Sequence, residues 1–154
     1  MRLYTFTITP NNRKVEAFVR HFDLPVEVHH VSFKDRETQS PEYLAINPMA
    51  RVPALVDGDF KLWESNAIVR YLARVHGAGT LWPDDAREGA DADRWMDWQA
   101  TAFNPAIGPA FWHLIRFPAE QRDAKVIEAA RVSAEKKLAM LDAHLPTTAE
   151  AQTP

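Results

Sequence analysis

The sequence lacks cysteine altogether, since none of its 154 residues is one. Disulfides, thiolate-ligated metal sites and a cysteine nucleophile are therefore excluded within this chain. The sequence also lacks a recognisable secretory leader and any apolar run long enough to span a bilayer, so we expect a cytoplasmic protein without a membrane partner. Lys and Arg are dispersed rather than clustered, and we expect no nucleic-acid partner.

The histidines lack the spacing of a metal site. His29 and His30 are neighbours in a predicted strand, so their side chains point to opposite faces and cannot bind one ion. The remaining histidines are scattered, and we predict no metal cofactor. The rest of the composition is typical of a globular protein, with 46% hydrophobic residues, 25% charged residues and a net charge of −3.

The first part of the chain alternates between strand and helix patterns. Residues 3–8 alternate in the period of a strand, and residues 26–31 have a similar β-branched character. Between them lies a predicted helix whose apolar residues recur at spacings of three and four, namely Val15, Phe18, Val19 and Phe22. The opening is therefore predicted to be strand, helix, strand, with a right-handed crossover if the strands are parallel neighbours.

A second group of elements follows. Ser40–Pro41 predicts the start of a short helix, because Ser caps helices and Pro favours their first position. Asp57–Gly58 predicts a tight turn between two strands, and a further helix capped by Ser65 follows. The complete order, β-α-β and then α-β-β-α, is that of the thioredoxin fold.

The sequence changes character near residue 78. Glycine, proline and acidic residues around 78–88 predict a linker between an α/β domain at residues 1–77 and a helical domain at residues 89–154. Beyond the linker we find helical spacing alone, with a kink or break predicted at Asn104–Pro105. A last helix is predicted to end near Leu145, followed by an irregular tail.

Two short segments have features that suit a peptide-like ligand. A cis Val52–Pro53 bond would expose the backbone of Val52 for antiparallel pairing with an extended peptide, although most X-Pro bonds are trans. Glu64 could bind an ammonium group, and Ser65 at a helix start could help to bind a carboxylate. Taken singly, each feature is better explained in an ordinary way, by a trans proline and by a serine cap beside an exposed glutamate.

Taken together, the segments resemble a family signature. Asn47–Gly58 (NPMARVPALVDG), Leu62–Ile68 (LWESNAI) and Tyr71–Leu72 are similar to the N-terminal signature of the cytosolic glutathione S-transferases. The resemblance covers about the first half of the chain, and the Trp-rich helix after the linker is similar to the start of that family's helical domain. It implies an α/β thioredoxin-like N-terminal domain followed by an all-α C-terminal domain, with glutathione as the co-substrate.

The resemblance also implies that six residues bind glutathione: Gln39, Arg51, Val52, Pro53, Glu64 and Ser65. The Val52 backbone would pair with the cysteinyl backbone of glutathione across cis-Pro53. Glu64 and Ser65 would hold the γ-glutamyl end. Gln39 and Arg51 match positions that contact the glycyl carboxylate.

Thr9–Pro10–Asn11 occupies the turn after the first strand, where this fold places the group that faces the glutathione sulfur. The segment resembles the bacterial Nu-class transferases and their fungal prion-type relatives, which implies that Thr9 and Asn11 stabilise the thiolate. A helix cap without a catalytic role is the alternative. Because the chain has no cysteine, sulfur chemistry must use the thiolate of glutathione itself.

The resemblance implies an enzyme that conjugates glutathione to small electrophiles or uses it to reduce disulfides. The alternatives are a non-catalytic glutathione-binding or protein-interaction module and an inactive fragment. A homodimer is implied by the family alone. Family members continue with further helices, and after Leu145 we find no Ser/Thr-x-x-Asp capping box, so we expect a C-terminally truncated chain with exposed apolar helix faces and reduced stability.

Overall fold

The computed structural model describes residues 1–77 and 80–151. It contains two compact units, Met1–Gly89 and a helical unit that begins at Ala90. Residues 78 and 79 of the predicted linker and residues 152–154 of the predicted tail lie outside the described residues.

The first unit is a sheet covered by helices. Its strands are β1 (Arg2–Thr5), β2 (Glu27–His30), β3 (Ala54–Asp57) and β4 (Phe60–Trp63). Its helices include α1 (Pro10–His21), α2 (Pro41–Leu44) and α3 (Ser65–Gly77), with a 3₁₀ turn at Glu37–Gln39 before α2. The start of α2 follows the predicted chemistry, because the Ser40 hydroxyl accepts from the Tyr43 N–H at 3.1 Å.

The sheet has the strand order β2-β1-β3-β4. β1 pairs parallel with β2, which places Leu3 opposite Val28, and antiparallel with β3, which places Leu3 opposite Leu55. β3 and β4 form the predicted hairpin, in whose turn Gly58 has a φ of 61°. This mixed sheet, with α1 connecting its two parallel strands, confirms the predicted thioredoxin-like domain.

Apolar side chains cover both faces of the central strands. Leu3 and Leu55 lie on one face and are fully buried. They pack in a cluster with residues from two helices, Val15, Val19, Ile68 and Leu72. On the other face Tyr43 and Ala54 pack with Val31. The loop before β3 therefore joins a strand that is packed on both sides.

The buried face of α1 differs from the predicted apolar stripe. The stripe was expected to include Phe22, which the structure leaves 40% exposed. Asn12 and Glu16 are buried in its place, between the apolar residues of the same helix. Apolar spacing alone does not predict which face of α1 is buried, because two polar residues on that face form hydrogen bonds at the sheet.

β1 is shorter than predicted. It ends at Thr5 rather than near residue 8. The carbonyl of Phe6 accepts from the Thr9 N–H at 3.3 Å, so the chain has already turned toward α1.

Helices supply all the regular secondary structure described from Ala90 onward, which confirms the all-α character of the second part. α4 (Ala86–Trp98) begins inside the predicted linker. It is followed by a π-helical turn at Gln99–Phe103, α5 (Asn104–Phe111), a second π-helical turn at Trp112–Arg116, a 3₁₀ turn at Ala119–Gln121 and α6 (Ala124–Ala151). No helix in the described part of the chain combines the length and the apolar character that a membrane span requires.

The feature predicted at Asn104–Pro105 takes the form of a widened helical turn. Pro105 has no N–H to bond the carbonyl four residues earlier. The carbonyl left without this bond is that of Thr101, and the hydroxyl of the same Thr101 donates to the Asp97 carbonyl at 2.8 Å. The helical path continues through this region as a π-helical turn at Gln99–Phe103, immediately before Asn104 and Pro105.

The irregular tail predicted after Leu145 is wrong as far as residue 151, because α6 continues to Ala151. The segment contains a proline and two threonines, which disfavour a helix, beside Ala and Glu, which favour one. The helix thus extends beyond the end of the apolar periodicity, and local helix propensity does not explain the extension.

Candidate functional site

A cavity of about 250 Å³ in the first unit is lined by the starts of α1 and α3, the loop before β3 and the end of β4. Six of the residues assigned from the sequence line it: Asn11, Arg51, Val52, Pro53, Glu64 and Ser65. Asn47, Met49 and Trp63 also line it and had no assigned role. The volume is slightly below the ~300–1,000 Å³ common for small-molecule sites.

Two assigned residues, Thr9 and Gln39, are not among the lining residues that the structure describes. Thr9 immediately precedes α1 and is half-buried. Gln39 ends the 3₁₀ turn before α2 and is exposed. Their roles remain predictions.

The loop before β3 is held by hydrogen bonds to one carbonyl oxygen. The Tyr43 hydroxyl and the Asn47 amide nitrogen each donate to the Arg51 carbonyl at 2.7 Å. The side-chain oxygen of Asn47 accepts from the Met49 N–H at 3.0 Å, so both ends of this buried amide are used. The Val52–Pro53 bond that follows is cis, as predicted.

Glu64 has a backbone conformation that is rare for a residue with a side chain. Its φ of 73° lies in the left-handed region, which costs an ordinary residue about 1–2 kcal/mol. The Glu64 carbonyl accepts from the Ile68 N–H at 3.0 Å, so Glu64 occupies the cap position of α3. The prediction that Ser65 caps this helix is therefore wrong by one residue, and Ser65 is the first helical residue, 7% exposed.

The start of α3 combines two opposite charges. A helix N-terminus presents free N–H groups and the positive end of the helix dipole, which favour an anion. The carboxylate of Glu64 directly precedes it in the chain and lines the same cavity. This arrangement can bind a carboxylate and an ammonium group that belong to one ligand.

Lys14 adds positive charge near the start of α3. Its amine donates to the side-chain oxygen of Asn66, the second residue of α3. Burial and the charge of Arg70 lower the pKa of Lys14 to about 8, against the opposing effect of Glu64. Most Lys14 side chains are therefore still cationic at neutral pH. No local signal identifies this contact, because it joins residues 52 positions apart.

A buried polar network lies at the start of α1. The Thr5 hydroxyl is 2.7 Å from a carboxylate oxygen of Glu16 and 3.2 Å from the side-chain oxygen of Asn12. The amide nitrogen of Asn12 donates to the Thr9 hydroxyl oxygen. Sequence analysis missed these residues, although two polar residues four positions apart within the apolar stripe of α1 were a usable signal.

A second cavity, of about 520 Å³, lies within the helical unit. Its walls are mainly apolar or aromatic, and His144 stacks on Trp95 with ring centroids 4.4 Å apart. Arg94 is its cationic lining residue, and the lining residues described contain no carboxylate. No three His, Asp or Glu side chains within residues 1–77 and 80–151 form a possible metal site. The polar cavity of the first unit, which brings together six of the residues assigned from the sequence, is the candidate functional site.

Comparisons with known sequences connect both units to one group of proteins. The family model described as the N-terminal domain of glutathione S-transferase matches residues 1–74. Glutathione S-transferase GstB of Escherichia coli (strain K12) is 37% identical over 137 residues, which cover 88% of this chain and 66% of that protein. The probable glutathione S-transferase GSTF2 of Oryza sativa is 32% identical over 148 residues, which cover 94% of this chain and 69% of that protein. The chain thus spans about two thirds of the length of these relatives.

Solved structures of glutathione S-transferases and of Ure2p are also similar to this chain. A theta-class glutathione S-transferase from Xanthomonas axonopodis pv. citri with glutathione bound matches with a TM-score of 0.85 and 35% identity, over 94% of this chain and 70% of that one. Ure2p in complex with glutathione matches with a TM-score of 0.84 and 26% identity, over 97% of this chain and 64% of that one. The similarity therefore extends through the helical part of the chain, beyond the residues matched by the family model.

Proposed function

Because this chain belongs to the glutathione S-transferase family, we propose that it binds glutathione in the cavity of its first unit and acts as a glutathione transferase. The observation that carries the proposal is the charge arrangement of that cavity. Arg51 and the start of α3 supply positive potential, and Glu64 supplies a carboxylate. Glutathione carries an ammonium and a carboxylate group at its γ-glutamyl end and a second carboxylate at its glycyl end.

In this proposal each charged group of glutathione has a partner. Glu64 binds the ammonium group, while Ser65 and the free N–H groups of α3 bind the γ-glutamyl carboxylate. The backbone of Val52, next to Pro53, pairs with the cysteinyl residue. Arg51 binds the glycyl carboxylate, with Gln39 as a further contact.

We assign stabilisation of the thiolate to Thr9 and Asn11. A free thiol has a pKa of about 8.5, so most of it is protonated at neutral pH. Hydrogen bonds to the anion lower that pKa, and each unit requires about 1.4 kcal/mol of preferential interaction. The position of Asn11 in the cavity lining supports this role. The Thr-Pro-Asn turn favours a Nu-class-like member of the family.

Two reactions are open to such a thiolate. In conjugation, it forms a carbon–sulfur bond with an electrophile, which releases its leaving group as an anion. In disulfide reduction, it attacks one sulfur of a disulfide, forms a mixed disulfide and releases a thiolate. A second glutathione then attacks the mixed disulfide, giving oxidised glutathione and a second thiolate. No step needs a cysteine of the chain, which has none.

Two further points concern the oligomeric state of the protein and a second candidate function. We expect a homodimer, as the family resemblance implies. A glutathione-binding module without turnover is the second candidate, and the similarity to Ure2p in complex with glutathione motivates it.

The test combines binding with two activity assays. Calorimetry measures glutathione binding, conjugation is assayed with a chloronitrobenzene, and disulfide reduction is assayed with hydroxyethyl disulfide. We expect Asn11→Ala to lower kcat/KM about tenfold to a hundredfold, since one hydrogen bond to a charged group contributes about 1.5–3 kcal/mol. Arg13→Ala is the control, because it removes an exposed side chain of α1 that is not among the described lining residues.

The outcomes separate the candidates. Glutathione binding with either activity supports the transferase, and unchanged kcat/KM in Asn11→Ala removes the assigned role of Asn11. Binding with neither activity supports the non-catalytic module. If folded protein takes up no glutathione at millimolar concentration, the proposal is wrong.

A further inference from the structure

We propose that Asn12 is a positioning residue that keeps the hydroxyl proton of Thr9 available to the glutathione sulfur. It does so as the middle of a hydrogen-bonded chain of Glu16, Thr5, Asn12 and Thr9. This inference rests on the proposed function, because it requires glutathione in the cavity of the first unit.

The chain of hydrogen bonds is buried almost throughout. Thr5 is 0% exposed, Asn12 is 1% exposed and Glu16 is 4% exposed. Buried polar groups are costly unless they are hydrogen-bonded, and here the Thr5 hydroxyl lies within hydrogen-bonding distance of both Asn12 and Glu16. The network leaves the interior at Thr9, which is half-buried at the start of α1. It therefore connects the sheet interior to the turn that the proposed function assigns to the sulfur.

The directions of the hydrogen bonds determine what Thr9 can do. The single hydroxyl proton of Thr5 faces two acceptors, Glu16 at 2.7 Å and the side-chain oxygen of Asn12 at 3.2 Å. With its oxygen toward Thr5, the Asn12 amide turns its nitrogen toward Thr9 and donates to the Thr9 hydroxyl oxygen. Thr9 is then the acceptor in this bond and keeps its own proton.

Reversal of the Asn12 amide would have the opposite effect. The side-chain oxygen of Asn12 would face Thr9 and accept its proton, which would no longer be available to a thiolate. The Thr5 proton is shared between the closer carboxylate oxygen of Glu16 and the side-chain oxygen of Asn12, and its interaction with Asn12 favours the productive orientation.

Glu16 is held in place by further contacts. The Thr7 hydroxyl lies 3.2 and 3.4 Å from its two carboxylate oxygens, and Arg20 lies 3.7 Å from one of them. Thr7 is also 3.3 Å from a ring nitrogen of His30. Arg20 and, through Thr7, His30 are the charged or titratable groups that these contacts place around Glu16.

The test measures the thiol pKa of bound glutathione, by ultraviolet titration of the thiolate, in matched variants at position 5. Thr5→Val removes the hydroxyl but keeps the shape, and we expect the thiol pKa to rise by about one unit. Thr5→Ser keeps the hydroxyl and is expected to retain the wild-type thiol pKa. Should Thr5→Val fail to fold, Thr5→Ala removes the same hydroxyl with less apolar contact.

A variant at position 16 provides a second test of the positioning role. In Glu16→Gln the new amide can donate to Thr5, so the Thr5 proton is directed wholly to Asn12. We expect the thiol pKa of bound glutathione to stay at or below the wild-type value. A network with a merely structural role would instead give similar changes in Thr5→Val and Glu16→Gln.

The results distinguish this inference from the proposed function. If Thr5→Val binds glutathione and its thiol pKa matches that of wild type, the positioning role is refuted while the site stands. A thiol pKa in Glu16→Gln that rises as far as in Thr5→Val also refutes it. If wild type itself binds no glutathione, the proposed function fails first. The inference is supported when Thr5→Val raises the thiol pKa and Thr5→Ser and Glu16→Gln do not.

Discussion

Tyr43 and Asn47 donate to the same oxygen, the carbonyl of Arg51, and replacing them singly and together measures how firmly the loop before β3 is held. Tyr43→Phe removes one donor and leaves the other in place. Asn47→Ala removes the second donor and also leaves the Met49 N–H without the side-chain acceptor that it uses at 3.0 Å. The double variant leaves the carbonyl without either side-chain partner.

The expected magnitudes follow from counting bonds. Tyr43→Phe loses one hydrogen bond and should destabilise the protein by about 1 kcal/mol. Asn47→Ala loses two bonds, including the one that its side-chain oxygen accepts from the Met49 N–H, and should cost about 2–3 kcal/mol. The double variant should lose about 1–2 kcal/mol more than the sum, because only there does the Arg51 carbonyl lack both donors.

Urea unfolding at constant pH gives the three free energies, and calorimetry gives glutathione affinity for each variant. Burial raises the pKa of the Tyr43 hydroxyl well above its ordinary value, with smaller effects from Glu37 and Tyr4, so it remains a neutral donor throughout. Tyr71→Phe combined with Asn47→Ala is the control cycle, because the Tyr71 hydroxyl donates to Asp57 at 2.6 Å rather than to the Arg51 carbonyl.

A coupling energy of zero for Tyr43 and Asn47 would show that the two donors do not hold the Arg51 carbonyl jointly, as would an equal coupling in the control cycle. We also expect glutathione affinity to fall most in the double variant, because the loop carries Arg51 and Val52. If stability falls while affinity is unchanged, the loop contributes to folding but not to the proposed site.

Two further predictions concern α1 and the core. In Lys14→Met we expect a change in the pH dependence of stability between about pH 8 and 10.5, where the folded wild type has lost the Lys14 proton and the unfolded chain retains it. Lys14 therefore makes the free energy of unfolding of the wild type increase with pH across this window, and Lys14→Met lacks that increase. If urea unfolding gives the same dependence of that free energy on pH for both proteins, the lowered pKa of Lys14 is contradicted. Leu55 is fully buried in β3, so Leu55→Ala should lower the free energy of unfolding by about 2–5 kcal/mol in the same assay. Phe60→Ala is the control, because Phe60 in β4 is 45% exposed. A loss in Leu55→Ala no larger than that in the control would be inconsistent with the core described above.

Local signals in the sequence were sufficient for much of the first unit. Ser40–Pro41 predicts a capped helix start, and the structure has that cap. Asp57–Gly58 predicts the hairpin, where Gly58 has the positive φ that favours glycine. These features depend on a few neighbouring residues, so periodicity and turn chemistry are enough to find them.

Features that depend on distant residues could not be predicted in the same way. The sequence reasoning selected Asn11 and left Asn12 without a role, because which asparagine faces inward depends on how α1 packs against β1. The buried position of Glu16 has the same origin, since its partner Thr5 lies in the strand. The cap position of Glu64 was missed because Ser is the commoner cap residue, whereas the structure places a left-handed residue there.

The conformation of Glu64 has a consequence for attempts to engineer this protein. At a φ of 73°, glycine is the residue with the lowest backbone energy, so a screen for heat resistance would favour Glu64→Gly. That substitution would also delete the carboxylate proposed to bind an ammonium group. Selection for thermal stability and selection for ligand binding therefore act in opposite directions at this single position.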